Sequence, residues 1–327
     1  MAEYFWKVIL PVAILVAICW YFYTKLRQPE LYSGLITIRW QWLCLAALLY
    51  LTAHTLWASY WVILLRNQGA TVKWITGIRS YFISQMGKYV PGKVWVIVLR
   101  VGMLGNSLGI SRTAVGITAT YEAFVSMAAG AFVGALLLST LAPEQMGLEG
   151  ISIYWVIPLG MIPIGLVGLN RFINRVSRWR KGPNAPQLPR VKLHMVIFGI
   201  LMGSLGWFIM GASLWCVVKG IIPQASLMSW DQVGHFTSIN AIAYVIGFMA
   251  FFMPAGSGVR EFAMQKLLTL ELAPIMATNQ ATAIAVVLAI VLRLTWTVAE
   301  LLCAGCLYWF VPGPGISKEL TATVQSA

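Results

Sequence analysis

The sequence predicts an all-α, polytopic membrane protein, and three observations carry that expectation. Of its 327 residues, 59% are hydrophobic, against about 45–50% in soluble domains. Only 10% are charged, where about 25% is usual. Apolar runs at 4–24, 40–65, 112–141, 151–170, 193–219, 233–253 and 276–311 each meet the roughly 20 residues a bilayer crossing needs. Lipid is therefore the solvent for most of the chain. The expected architecture is about seven spanning helices plus two re-entrant helical hairpins, within a single integral membrane domain over 1–327.

The first run, Tyr4 to Tyr23, has Lys7 ahead of its core and no small-residue cleavage site before "WYFYTK". It reads as a retained helix rather than a cleaved leader. Two later segments, 80–104 and 254–272, are apolar but interrupted by Pro, Gly and charge. The loops decide how these sit. The stretch 170–192 carries Arg171, Arg175, Arg178, Arg180, Lys181, Arg190 and Lys192 without an acid, which marks it as a basic cytoplasmic loop. The stretch 141–150 has Glu144 and Glu149 and no cation, and should be external; 66–112 has seven cations and no acid, and should be cytoplasmic. These assignments agree only if 80–104 enters and leaves from one side. They place Lys25, Arg27 and Arg39 outside against Glu30, and they leave the side of the N-terminus open.

Each broken segment is a Pro-then-Gly interruption, a short cation-bearing helix and then a long helix with a buried charge. Such a pattern suggests an inverted repeat with halves at 4–170 (hairpin at 80–104) and 193–311 (hairpin at 254–272), an architecture on which transporters build a midplane site. In "GKYVPGKVWVIVLR", Gly87, Pro91 and Gly92 permit a turn flanked by Lys88 and Lys93. Arg100 lies seven residues beyond Lys93, on the same helical face. In "PAGSGVRE", Pro254 ends a helix, while Gly256 and Gly258 free the backbone. A half-helix beginning near Ser257 would offer free N–H groups to an anion. Arg260 adds a guanidinium suited to a phosphate, and Glu261 could orient it. The plainer reading of both segments is a helix break with snorkelling cations.

Charges inside spans cost about 2.5–3.5 kcal/mol at a helix centre, so they normally face a partner or a wet cavity. Glu122 lies in "TATYEAFVSM" and Arg293 in "AIVLRLTWTVAELL", with Glu300 seven residues later on one face. Glu122 and Arg293 occupy comparable places in the two halves and are expected to approach one another or to line one cavity. A purely structural pair is the alternative.

Other chemistries have little support. The net charge of +13 is topological, not a nucleic-acid footprint. Cys19, Cys44, Cys216, Cys303 and Cys306 lie in apolar spans and suggest no disulfide framework; "CAGC" reads as small residues at a helix contact. His54, His194 and His235 lack metal-ligand spacing. No Walker loop, nucleophile elbow or zinc-protease motif is present, so neither a metal, a cofactor nor an enzymatic activity is expected.

"GKYVPGKVWVIVLR" with the following "YEAF", then "MPAGSGVREFAM" and the late "VLRLTW", resembles the lysylphosphatidylglycerol synthase transmembrane region family, whose members are also described as flippase-like. The resemblance covers roughly 5–311. It implies functional positions at Lys88, Pro91, Gly92, Arg100, Glu122, Gly256, Gly258, Arg260, Glu261 and Arg293. In longer members the membrane region is credited with moving aminoacylated phosphatidylglycerol between leaflets, while a separate cytosolic domain makes that lipid. Pro312 to Ala327 are too few for such a domain, so the resemblance implies a stand-alone translocating region. Lys93 departs from the small residue expected after "PG".

The expected function is movement of a lipid with an anionic, phosphate-bearing headgroup between leaflets of the cytoplasmic (inner) membrane. An anionic phospholipid or a polyprenyl-phosphate-linked lipid would be the partner, with a homo-oligomer or an envelope-biosynthesis protein as a further one. The substrate-binding set is Lys88, Lys93, Arg100, Glu122, Ser257, Arg260, Glu261 and Arg293; the hairpin breaks are Pro91, Gly92, Pro254, Gly256 and Gly258. The alternatives are a membrane-embedded glycosyl- or lipid-transferase and an accessory scaffold of envelope glycolipid synthesis.

Overall fold

The structure is a computed structural model that describes residues 38–89, 94–104, 111–141, 191–222, 230–249 and 258–311, with helical positions scattered between 165 and 179. The first apolar run, most of the run at 151–170, and Pro91, Gly92, Lys93, Pro254, Gly256 and Ser257 lie outside the described residues.

In chain order the helices are α1 (Trp40–Asn67), α2 (Trp74–Gln85), a 3₁₀ turn at Met86–Tyr89, α3 (Val94–Leu104) and α4 (Arg112–Leu141). The second series is α5 (Leu193–Ile221), α6 (Val233–Met249), α7 (Val259–Leu272) and α8 (Thr278–Phe310). There is no strand among the described residues. The helices α1, α4, α5 and α8 are long and apolar enough to cross a membrane.

The arms α2 and α3 have 12 and 11 residues, roughly 17 Å each at ~1.5 Å per residue, about half a hydrocarbon core. They fold back on one another. A side chain on Gly87 would lie 2.7 Å from the carbonyl carbon of Trp95, and Arg100 Nε donates to Ser84 Oγ at 3.1 Å. The hairpin therefore spans 74–104 and begins six residues before the sequence suggests, because the apolar face of α2 continues through Trp74 and Ile75.

A second hairpin corrects a larger expectation. The run 233–253 reads as a span, yet α6 has 17 residues and lies antiparallel to α7. His235 meets Glu271 at 3.1 Å at the open end, and a side chain on Gly247 would strike Arg260 Cβ at 2.7 Å near the closed end. Apolarity cannot distinguish a helix that faces lipid from one buried by protein. Buried Thr237, Ser238 and Asn240 on α6 belong to the latter. A smaller correction concerns the basic loop at 170–192: Arg171, Phe172, Asn174, Arg175, Val176, Arg178 and Trp179 are helical. Phe172, Val176 and Trp179 recur at helical spacing, which runs of Arg obscure.

The centre of the fold is the antiparallel pair α1–α5. Arg39 N–H donates to Gly220 O at 2.9 Å at one end, Ser213 Oγ donates to Ala46 O at 2.7 Å, and Tyr60 Oη donates to Met195 O at 3.1 Å at the other. Glycines on α5 make the approach possible. A side chain on Gly199 would overlap the Tyr60 ring and one on Gly206 the Trp57 indole, while Gly203 gives the same room to α4, where a side chain would meet the Ala129 methyl. Between apolar helices in lipid, close contact of small residues replaces a hydrophobic driving force.

Because α1 and α5 run oppositely, the two hairpins open at opposite ends of that pair. The first follows the C-terminus of α1, where Arg66 donates twice to Val72 O. The second follows the C-terminus of α5, where Trp230 packs on Trp215 at 4.4 Å. Exchanging α1 with α5, α2 with α6, α3 with α7 and α4 with α8 carries the packing pairs onto one another. The contact of α4 with α6 maps onto α8 with α2, and α4 with α5 onto α8 with α1.

Candidate functional site

Two polar clusters lie within this apolar body. The first joins α2, α3 and α4. Arg100 Nη1 meets Glu122 Oε2 at 2.8 Å, with the two side chains 2% and 5% exposed. Tyr81 Oη donates to the other carboxylate oxygen at 3.3 Å, and Ser84 Oγ accepts from Arg100 Nε. The guanidinium is sandwiched, with its carbon 4.7 Å from the Trp61 ring and 4.3 Å from that of Tyr81. Both carboxylate oxygens are used, so this cluster is closed. The sequence suggested Arg293 as the counterpart of Glu122; the partner is Arg100 instead, because the fold-back of α3 lays it directly on α4.

The second cluster gathers where the two hairpins reach the middle of α8. From the first hairpin, Lys88 Nζ contacts Glu300 Oε2 at 2.6 Å, and Tyr89 Oη donates to Glu300 Oε2 at 3.0 Å. From the second, Gly258 caps α7. Its φ of 85° is a conformation that side chains disfavour. Its N–H donates to Glu261 Oε2 at 2.6 Å, while Arg260 Nε donates to Glu261 Oε1 at 3.1 Å. The Arg260 guanidinium also rests 4.5 Å from the Tyr244 ring. The half-helix and its first-turn arginine are as expected, and Glu261 does orient Arg260. The Gly258 N–H, however, is already occupied by the protein's own carboxylate.

Arg293 is different. Its guanidinium lies 5.6 Å from the Tyr89 ring, and no carboxylate among the described residues bonds it. It lines a small cavity with Arg260, Glu261, Met264, Ala289, Leu292 and Trp296. Trp296 is fixed from behind, donating Nε1 to Ser213 Oγ at 2.9 Å and stacking on Tyr50 at 5.1 Å. Arg260 and Arg293 line this same cavity, and Lys88 reaches the same helix through Glu300. Of the expected binding set, the structure thus brings Lys88, Arg260, Glu261 and Arg293 together and sets Arg100 and Glu122 apart; Lys93 and Ser257 fall outside the described residues.

The site also holds an aromatic frame and one acid that are not among the expected binding residues: Tyr50, Tyr89, Tyr244, Trp296 and Glu300. A signal existed for part of it, since Arg293, Trp296 and Glu300 recur at helical spacing on one face. A family model described as the lysylphosphatidylglycerol synthase TM region matches residues 8–301. The chain belongs to that family. Membership in the lysylphosphatidylglycerol synthase transmembrane region family makes it an integral membrane protein related to lipid metabolism. No individually curated protein matches the chain.

Proposed function

We propose that this protein moves a lipid with an anionic, phosphate-bearing headgroup between the leaflets of the cytoplasmic membrane. The observation that carries the reading is Arg293, a cation midway along a membrane-crossing helix that faces a cavity and has no carboxylate bonded to it among the described residues. Such a charge is expensive in hydrocarbon unless it serves an anion or a wet path. Lys88 and Arg260 add positive potential from the tips of the two hairpins. Glu261 and Glu300 hold these two in place, leaving Arg293 to meet the headgroup phosphate.

The antiparallel α1–α5 pair, the oppositely opening hairpins and the matched packing pairs support an inverted repeat. In that arrangement a central site can face either leaflet in turn. Acyl chains would stay in lipid while only the headgroup crosses the cluster. Glu122, whose oxygens are bonded to Arg100 and Tyr81, then has a structural role, and movement rather than chemistry is the activity.

Reconstitution in vesicles carrying labelled anionic lipids tests the reading. Wild type should speed headgroup crossing, and Arg293→Gln should cut that rate by about tenfold or more, the equivalent of one charged hydrogen bond to phosphate. No acceleration for any anionic lipid by wild type would overturn it.

A further inference from the structure

We propose that Glu300 is a proton-binding site, and that a proton on Glu300 accompanies the anionic headgroup through the protein. The inference rests on the lipid-movement reading and adds an energy source to it. Its starting point is where the Lys88–Glu300 bond sits. The Arg100–Glu122 pair lies within one half of the molecule, whereas Lys88 reaches from the first hairpin to α8 of the second half. The 3₁₀ turn at Met86–Tyr89 supplies both polar partners of this carboxylate, the Lys88 ammonium and the Tyr89 hydroxyl. Gly87 packs against the Trp95–Val96 backbone, so the turn and the start of α3 move as one body.

Any opening that parts this turn from α8 removes both partners together. Glu300, whose side chain is 1% exposed, would be left as a bare carboxylate in an apolar stretch, which burial strongly disfavours. Taking a proton removes that penalty. One O–H bond forms on a Glu300 oxygen, with the proton drawn from the aqueous side. Lys88 keeps its ammonium protons and, released from the carboxylate in this opened state, joins Arg293 at the headgroup phosphate. The charge at the cluster is therefore the same before and after: one proton and one singly charged phosphodiester enter together. Lys88, with its side chain 20% exposed, lies on the accessible side of the bond.

The other groups around Glu300 do not take this role. Tyr50 and His54 approach from α1, where His54 Nδ1 is engaged with Tyr50 O at 3.1 Å. Tyr244 of α6 lies under Arg260, and Glu261 of α7 is held by Arg260 and the Gly258 N–H. Arg293 and Thr297 share the face of α8, and Thr297 Oγ1 accepts from Tyr89 at 3.4 Å. When the turn leaves, Tyr50 loses a long contact from Lys88 at 3.5 Å, Thr297 its contact from Tyr89, and Arg293 the Tyr89 ring, but Glu300 is the carboxylate that gives up its bonded partners.

Two measurements separate this inference from the lipid reading. In the first, fluorescent phosphatidylglycerol is followed in phosphatidylcholine vesicles under an imposed pH gradient. One-to-one coupling predicts that the label accumulates in the leaflet facing the alkaline side, by about tenfold per pH unit, and that Glu300→Gln abolishes the asymmetry. Equal leaflets in wild type, or an unchanged asymmetry in Glu300→Gln, would overturn it. In the second, spin labels at the exposed positions 94 and 301 report the separation of α3 from α8 without any lipid substrate. Acidification should shift wild type toward longer distances, and Glu300→Gln should show them already at neutral pH. A distance distribution indifferent to pH would overturn the inference even if lipid moved. One that follows pH while no lipid moves would support the proton site and sink only the lipid reading.

Discussion

The two polar clusters use the same vocabulary and reach opposite states. Around Arg100, one guanidinium, one serine, one tyrosine and the Trp61 ring close on one carboxylate, both of whose oxygens are bonded. Around Arg293, three cations meet two carboxylates, and the odd cation faces a cavity. The difference lies in which elements supply the groups. The closed cluster is built by the consecutive helices α1, α2, α3 and α4, all within the first series. The open one is assembled from two hairpin tips and a helix of the second half, and its charge balance depends on how the halves meet. A buried ion pair is weak evidence for stability but costly to break; an uncompensated cation in a membrane is evidence for a visitor.

The comparison can be broken most severely at Glu122. Glu122→Ala leaves the Arg100 guanidinium buried without its carboxylate, and should cost about 3–5 kcal/mol. Thermal unfolding in detergent measures this, and replacing both residues at once by apolar ones (Arg100→Met with Glu122→Leu) should recover most of it. Next in size is Gly87→Ala. The added methyl meets the Trp95 carbonyl region at 2.7 Å, and backbone cannot step aside as a flexible side chain does. A loss of about 1–3 kcal/mol is expected, read as an earlier melting transition.

Arg293→Gln sharpens the contrast from the other side. Since no carboxylate loses a partner, stability should change by less than about 1 kcal/mol, while headgroup movement falls by the tenfold or more expected of a lost phosphate contact. A large loss of stability with transport intact would make the two clusters alike. The smallest effect belongs to His235→Ala. The His235–Glu271 contact at the open end of the second hairpin is partly buried, with side chains 23% and 11% exposed, and a lone pair that water still reaches contributes about 1 kcal/mol or less. Its removal should hardly move the melting transition.

The legibility of the sequence follows the same division. Helix breaks and intramembrane charges are local facts, so Gly258, Arg260, Arg293 and the turn after α2 stand out from the residue order alone. Pairing is not local. Glu122 could have met any cation at its depth, and only the antiparallel return of α3 selects Arg100. The role of α6 was hidden for another reason. Its apolar residues satisfy a lipid or a protein neighbour equally, and the difference rests on the few polar side chains it buries. Tyr89 and Tyr50 look like interfacial aromatics until the first hairpin is seen to carry the former to α8 and the stack with Trp296 fixes the latter.

The glycine-lined contact between α1 and α5 also sets a schedule for biogenesis. The partner surface of α1 is encoded some 150 residues later, at Leu193–Ile221. At about 5–20 residues per second of synthesis, α1 waits roughly 8–30 seconds in the bilayer before α5 emerges. Throughout that interval Trp57 and Tyr60, the side chains that Gly206 and Gly199 of α5 receive, face lipid or the insertion machinery, and neither hairpin has a central pair to lean on. The nascent first half is therefore the stage at which quality control has the longest opportunity to act.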